Sequence, residues 1–289
     1  MGNRKHHDDT APLREAGRPG SVPVRSDVPD STVRDVGLSK VPAVTLAFWI
    51  IKVLATTLGE TGGDALSMSM GLGYLLSTAI FMALFVAAAA AQICADRFKP
   101  WLYWATIIAS TTVGTTLADF ADRSLGIGYL GGSVLLLALL LLSLFAWQRM
   151  LGSVEVSKLN GPRAEMFYWL TIMFSQTLGT ALGDWTADSV GLGYVGAAFI
   201  FGGLLCLVAA AYLWTSMSRT LLFWIAFILT RPFGAVIGDF LDKPVTQGGM
   251  AFNRYAATAM LFGLIITGVF LQTRRAKYEQ NRRANRDRA

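Results

Sequence analysis

Four aspartates in this chain stand at one register. Asp64, Asp119, Asp184 and Asp239 each follow a tryptophan by fifteen residues (Trp49, Trp104, Trp169 and Trp224) and a glycine by five (Gly59, Gly114, Gly179 and Gly234). Carboxylates repeated in this way suit the binding of a hard cation such as Mg²⁺, Mn²⁺, Ca²⁺ or Na⁺, for which oxygen is the preferred ligand. They equally suit a structural role, in which each Asp caps the turn that follows it or ends a helix near a membrane interface. Met68 and Met70, just after the first Asp, leave room for a softer metal at the mouth of such a path.

The surrounding residues extend the pattern. On a helix, positions seven, eleven and fifteen after the Trp share one stripe, because residues four apart are neighbours on a helix face. The stripe reads Thr56, Glu60 and Asp64 in the first copy, Thr111, Thr115 and Asp119 in the second, and Gln176, Thr180 and Asp184 in the third. In the fourth it reads Arg231, Ala235 and Asp239, and Lys52 prolongs the first. Ionisable groups in mid-membrane cost roughly 2.5–3.5 kcal/mol each, so these stripes are expected to face a bundle interior or water and to line a substrate or ion path. Beside them runs a stripe of small residues: Gly59 and Gly63, Gly114 and Ala118, Gly179 and Gly183, Gly234 and Gly238. Such pairs let helix backbones approach closely, so the glycines are assigned to helix packing, with hinges for gating as the alternative.

Lys52 and Arg231 complicate a ring of acids. Each is read as a counter-ion for an acid on another helix, as half of a binding pair for an anionic group, or as an internal competitor displaced by an arriving cation. Lys52 precedes Glu60 by eight residues, too far for a neighbour pair on one helix, so its partner is expected on another. Arg231 precedes Pro232, whose missing N–H is expected to kink the helix.

Several chemistries are excluded. The only histidines, His6 and His7, lie in the polar N-terminal stretch, so a haem held by His pairs and a His-rich site in the bundle are ruled out. Cys94 and Cys206 occupy non-equivalent repeat positions inside apolar runs and read as packing residues. No Ser-His-Asp or Cys-His set and no phosphate loop is present, and the Gly-Asp pairs at 183–184 and 238–239 lack the G-x-G-D spacing of intramembrane aspartyl proteases. An enzyme is not expected, nor any cofactor beyond a bound divalent cation.

The elements that must carry these residues follow from hydropathy. The chain has 289 residues, 53% hydrophobic and 15% charged, with a mean hydropathy of +0.47, which points to a membrane protein. Eight apolar runs, about Val41–Gly63, Leu75–Ala95, Pro100–Leu117, Leu130–Trp147, Met166–Leu182, Val195–Trp214, Leu221–Ile237 and Tyr255–Leu271, approach the ~20 residues that hydrocarbon demands of a helix. The expected fold is an all-α membrane protein, with eight transmembrane helices from four parallel two-helix repeats at about 41–95, 100–149, 166–215 and 221–272. A disordered tail is expected over 1–39 and a basic tail, anchoring at anionic headgroups, over 273–289. The Trp spacings of 55, 65 and 55 residues divide the chain into two halves, each a tandem pair.

Two helices per repeat return the chain to its starting side, so all four repeats share one orientation. The Trp residues are then expected at one interface, with the Asp residues about 22 Å further across. Three copies end in G-[LI]-G-Y, at Tyr74, Tyr129 and Tyr194, a tight reversal with the Tyr anchoring the next helix at the interface. The fourth, GDFLDKPVTQGGM, is expected to turn differently. Both tails and Arg97, Lys99, Arg149, Lys158, Arg163 and Arg219 fall on one side, against Arg123, Lys243 and Arg254 on the other. The first side is therefore expected to be cytoplasmic, with both termini inside.

Four copies of W-x9-G-x4-D, three of them followed by G-[LI]-G-Y, resemble bacterial multi-spanning membrane proteins that carry four copies of a repeat of unknown function, the uncharacterised membrane-anchored protein family. The resemblance covers about residues 40–272 and implies an inner-membrane protein with several spans. The residues themselves lead to the expected function: a transporter of a small, divalent cation along the repeated Asp residues. The alternatives are a transporter of a small organic or anionic solute held by Lys52 and Arg231, and a non-transporting scaffold or sensor. The expected partners are the lipid bilayer and a small-ion or small-molecule substrate, with no nucleic acid; the oligomeric state is left open.

Overall fold

In a computed structural model of the chain, residues 40–159 and 161–286 are described, and every regular element among them is helical. The tail expected over 1–39 lies outside the described residues. Eight long helices follow one another: α1 Leu46–Asp64, α2 Gly73–Cys94, α3 Pro100–Asp119, α4 Tyr129–Leu151, α5 Pro162–Asp184, α6 Gly193–Trp214, α7 Arg219–Asp242 and α8 Arg254–Arg286. Local chemistry sets several of the ends. Thr45 and Ser218 cap α1 and α7 by accepting from the Phe48 and Leu221 N–H groups. Pro100 and Pro162 open α3 and α5, where a missing N–H costs nothing, and Gly152 ends α4 with a φ of 75°.

Five helices, α2, α4, α6, α7 and the Arg254–Tyr278 part of α8, are long and apolar enough to cross a membrane, the pattern of a multi-pass membrane protein. The other three, α1, α3 and α5, carry the more polar of the four stripes, and most of their residues are buried within the protein. Helix α8 continues through the basic segment as far as Arg286.

The reversals repeat with the sequence. After Asp64, Asp119 and Asp184 the backbone passes into a single π-turn, over Ala65–Ser69, Phe120–Ser124 and Trp185–Ser189. The two glycines of each G-[LI]-G unit then take positive φ, 71° and 73° at Gly71 and Gly73 for example, a conformation costly to any residue with a Cβ. In the fourth copy Pro244 supplies no N–H, and a 3₁₀ turn over Val245–Gln247 replaces the π-turn.

Helix packing turns the tandem repeats into a ring. Helix α1 packs on α3, α3 on α5, α5 on α7, and α7 back on α1. The second helix of each repeat lies against the first helix of the next: α2 on α3, α4 on α5, α6 on α7 and α8 on α1. The repeats therefore interlock cyclically.

Glycines make the inner contacts possible. A Cβ on Gly59 would collide with Thr111, one on Gly114 would lie 2.8 Å from the Gln176 carbonyl carbon, and those on Gly179 and Gly234 would strike Arg231 and Thr56. Each of these glycines thus abuts the seventh-position residue of the next repeat in the ring. Gly63 and Gly238 likewise press on Thr115 and Glu60, and Gly183 meets Ala235.

At the end of the ring where α1, α3, α5 and α7 begin, the Trp end, aromatic side chains form a collar. The residue before each Trp packs on the Trp of the next repeat, with ring centroids 5.5 Å apart for Phe48–Trp104, 5.8 Å for Tyr103–Trp169, 6.3 Å for Tyr168–Trp224 and 5.7 Å for Phe223–Trp49. Trp104, Trp169 and Trp224 are buried in the bundle, each against an aromatic neighbour on the adjoining helix.

Candidate functional site

The first layer beyond the collar holds the third-position residues Lys52, Ile107, Ile172 and Phe227, all buried. The Lys52 side-chain nitrogen has no hydrogen-bonding partner among the described residues and stands 4.2 Å from the centre of the Phe227 ring. Its neighbour on another helix is therefore a ring face, a weaker counterpart than the acid the sequence led us to expect.

The seventh-position layer comprises Thr56, Thr111, Gln176 and Arg231. Thr56 donates to the Val53 carbonyl and lies 3.1 Å from the Thr230 carbonyl of α7, and Thr111 reaches the Ala55 carbonyl of α1 at 3.1 Å. These hydroxyls tie adjacent helices. Gln176 is fully buried, and neither amide atom has a hydrogen-bond partner among the described residues. Helix α7 runs unbroken through Pro232.

Arg231 extends to the eleventh-position layer and collects one residue from each other repeat. Its Nη1 and Nη2 lie 3.1 Å from Glu60 Oε2, and Nη2 lies 2.6 Å from Thr115 Oγ1 and 2.5 Å from Thr180 Oγ1. Thr115 also donates to Glu60 Oε2 at 3.1 Å. A buried guanidinium is tolerated when its charge is paired, and the other three repeats supply partners to its two terminal nitrogens, while Nε has none among the described residues.

The repeated aspartates follow, at the opposite or Asp end. All four are buried, and Asp64, Asp119 and Asp184 make no capping hydrogen bond to the turns they precede. They divide into two pairs, each bridged by one cation. Arg123 lies 3.1 Å from Asp119, four residues before it, and 3.6 Å from Asp184 of the next repeat. Lys243 lies 3.2 Å from Asp239, four residues before it, and 2.5 Å from Asp64 of the next repeat. Arg254 adds contacts to Asp242 at 2.7 Å and to Asp64 at 3.7 Å. Burial works against the charge of Lys243, but Asp239, Asp64 and Asp242 outweigh it and hold its pKa well above the ordinary lysine range.

The four Asp residues do not form a single ligand set. Among the described residues, one group could hold a metal: Asp64, Asp239 and Asp242, which offer one oxygen each within 4.8 Å of one another. Over this end opens a cavity of about 820 Å³, lined by Arg123, Lys243, Arg254 and the repeated Tyr74, Tyr129 and Tyr194. The three tyrosines thus line the cavity, and Tyr74 accepts a hydrogen bond from Arg123 at 3.3 Å.

Arg123, Lys243 and Arg254 enter the sequence reading only as loop charges. A signal for the first two was present, because both stand nineteen residues after their Trp, where the other copies have Met68 and Asp188. Asp122 and Asp242 occupy the preceding position in the same two copies.

A protein-family model described as Repeat of Unknown Function (DUF347) matches the chain four times, over residues 47–98, 102–152, 167–218 and 222–278. The matches take in every layer described above, and the chain belongs to this family. No curated protein and no solved structure matches the chain.

Proposed function

We propose that this member of the four-repeat family is an integral membrane transporter of a small cation, which enters at the Asp end and uses the repeated carboxylates as its path. The observation that carries the reading is the ring axis. Buried ionisable or polar groups occupy it turn after turn, from Lys52 through Arg231 and Glu60 to the four Asp residues, below a cavity open at one end. In helices destined for lipid such groups are costly and mark solute paths. Charge selects the sign of the solute. Asp64, Asp119, Asp122, Asp184, Asp188, Asp239 and Asp242 all lie at this end, against Arg123, Lys243 and Arg254. Seven carboxyl groups facing three bases attract cations.

All eight helices span the membrane in this reading. Helices α1, α3 and α5 can be less apolar than the rest because α2, α4, α6 and α8 cover the ring. The Trp end, which carries most of the loop Lys and Arg residues, faces the cytoplasm of a bacterial inner membrane, with both termini inside. The aromatic collar then closes the path on the cytoplasmic side, and the cavity faces outward.

The anionic alternative draws less support, since Arg231 is committed to Glu60, Thr115 and Thr180 and leaves Lys52 alone as a binding cation. One observation favours a non-transporting scaffold: every repeated Asp already sits in an ion pair. Flux decides between them. Purified protein in sealed vesicles should carry Mn²⁺, Mg²⁺ or Ca²⁺ across the bilayer saturably, and a variant with Asp119→Asn and Asp184→Asn should not. Vesicles impermeable to all three ions and to Na⁺, with correctly folded protein, would leave the scaffold.

A further inference from the structure

The two Asp pairs are bridged alike but are not equivalent. Both bridging cations come from the nineteenth position of a repeat, and both reach forward to the Asp of the next repeat in the ring. In the Asp119–Asp184 pair the bridge is a guanidinium, a planar fork suited to holding two carboxylates in a fixed arrangement. In the Asp64–Asp239 pair it is an ammonium, a compact point charge on a flexible stem. Among the described residues, only the second pair gains a third carboxylate, Asp242, within ligand distance.

That trio holds more acceptor capacity than its partners use. Asp64 Oδ1 and Asp242 Oδ1 accept no hydrogen bond, although each of these side chains is 1% exposed. Buried carboxylate oxygens without a donor are rare and need an explanation. Asp119 Oδ1 and both Asp122 oxygens are also without a donor, but among the described residues the trio alone gathers three carboxylates within ligand distance, where a cation among them supplies the explanation.

We infer that Asp64, Asp239 and Asp242 form a divalent-cation site whose place is held by the tethered ammonium of Lys243. The inference rests on the transporter reading for its purpose and on these contacts for its location. Charge identifies the class of ion. When all three are ionised, as cation ligands must be, the carboxylates carry three negative charges, and Lys243 with Arg254 returns only two positive ones. A divalent cation with Arg254 returns three, so exchanging Lys243 for such an ion neutralises the trio. Lys243 also lines the outer cavity, so its stem can withdraw into water when the ion arrives. An all-oxygen donor set selects a hard ion of the Mg²⁺, Mn²⁺ and Ca²⁺ type.

The test uses Mn²⁺ and the full chain purified in detergent, with binding read by calorimetry and by the electron paramagnetic resonance signal of the free ion. Wild type should bind one Mn²⁺ per chain. Lys243→Gln, which removes the resident competitor, should bind it about tenfold more tightly. Lys243→Arg, which substitutes a fork that grips both carboxylates, should bind it more weakly, and Asp242→Asn should lose most of the affinity. Asp122→Asn, the same change at the equivalent position of the second repeat, should bind as wild type does. If Lys243→Gln fails to fold, Lys243→Arg and Asp242→Asn carry the test.

The site is overturned if neither wild type nor Lys243→Gln binds Mn²⁺, if removing the ammonium does not tighten binding, or if Asp122→Asn and Asp242→Asn behave alike. Binding with this pattern in a protein that carries no flux would keep the site and remove the transport reading. Flux retained in Asp242→Asn at unchanged half-saturation would keep transport and remove the site.

Discussion

Arg231 Nη2 lies 3.1 Å from Glu60 Oε2, joining the fourth repeat to the first with both side chains withdrawn from solvent. The pair closes the ring where the tandem chain cannot, since α7 and α1 are far apart in sequence. Removing one partner strands the other charge, so Arg231→Met and Glu60→Gln are each expected to destabilise the folded protein by about 3–5 kcal/mol. The double variant removes both charges and should recover much of that loss. Thermal unfolding in detergent of the four proteins measures the coupling. Additive single effects would show that the two groups do not act as a pair.

Helix approach in the ring depends on glycine at the tenth position. A Cβ at Gly179 would collide with the Arg231 stem, whereas one at Gly203, on the outer helix α6, would meet nothing within 4 Å. Gly179→Ala is therefore expected to cost about 1–3 kcal/mol through overpacking, and Gly203→Ala almost nothing. Melting temperatures of the two variants against wild type give the comparison. Equal effects would indicate a loss of backbone freedom in place of a steric contact.

Tyr103 and Tyr168 share a 2.7 Å hydrogen bond inside the collar, and both are buried. Tyr103→Phe leaves the Tyr168 hydroxyl without its partner, which is expected to cost about 1–3 kcal/mol. Converting both to Phe removes the need for a bond and should be milder than the single change, again by melting temperature. A double variant worse than either single would mean that each hydroxyl also serves a separate partner.

The ring was partly readable before the structure. A fifteen-residue register shared by four copies placed Thr56, Thr111, Gln176 and Arg231 at one level and Glu60, Thr115 and Thr180 at the next, because helical periodicity converts spacing into depth. The glycine stripes were visible for the same reason. What periodicity does not specify is which helix a stripe meets, so the cyclic interlocking of α2, α4, α6 and α8 with the following repeats, and the pairing of Glu60 with Arg231, came only from packing. Arg123 and Lys243 were overlooked because a basic residue in a short loop also serves as an orientation signal, and that explanation was sufficient by itself. The packing of each Trp on an aromatic of the neighbouring repeat was likewise beyond periodicity, because an indole is at home both at a headgroup interface and against another ring, and spacing alone does not name its neighbour.

Lys52 poses the sharpest test of whether the axis is a path or a support. Its side chain is fully buried with the nitrogen 4.2 Å from the centre of the Phe227 ring, and among the described residues no carboxylate bonds to it. A structural residue in that position is a poor choice, because a buried amine without a partner, charged or neutral, opposes folding and an apolar side chain of similar length does not. Lys52→Met is therefore expected to raise the melting temperature in detergent, a rare direction for a change in a buried layer. If the axis conducts, the same variant should lose cation flux in vesicles, since a group retained against stability is retained for function. A stabilised variant with wild-type flux would place Lys52 outside the path. A destabilised one would show that the ammonium has an acceptor, such as ordered water shared with the unpartnered amide of Gln176.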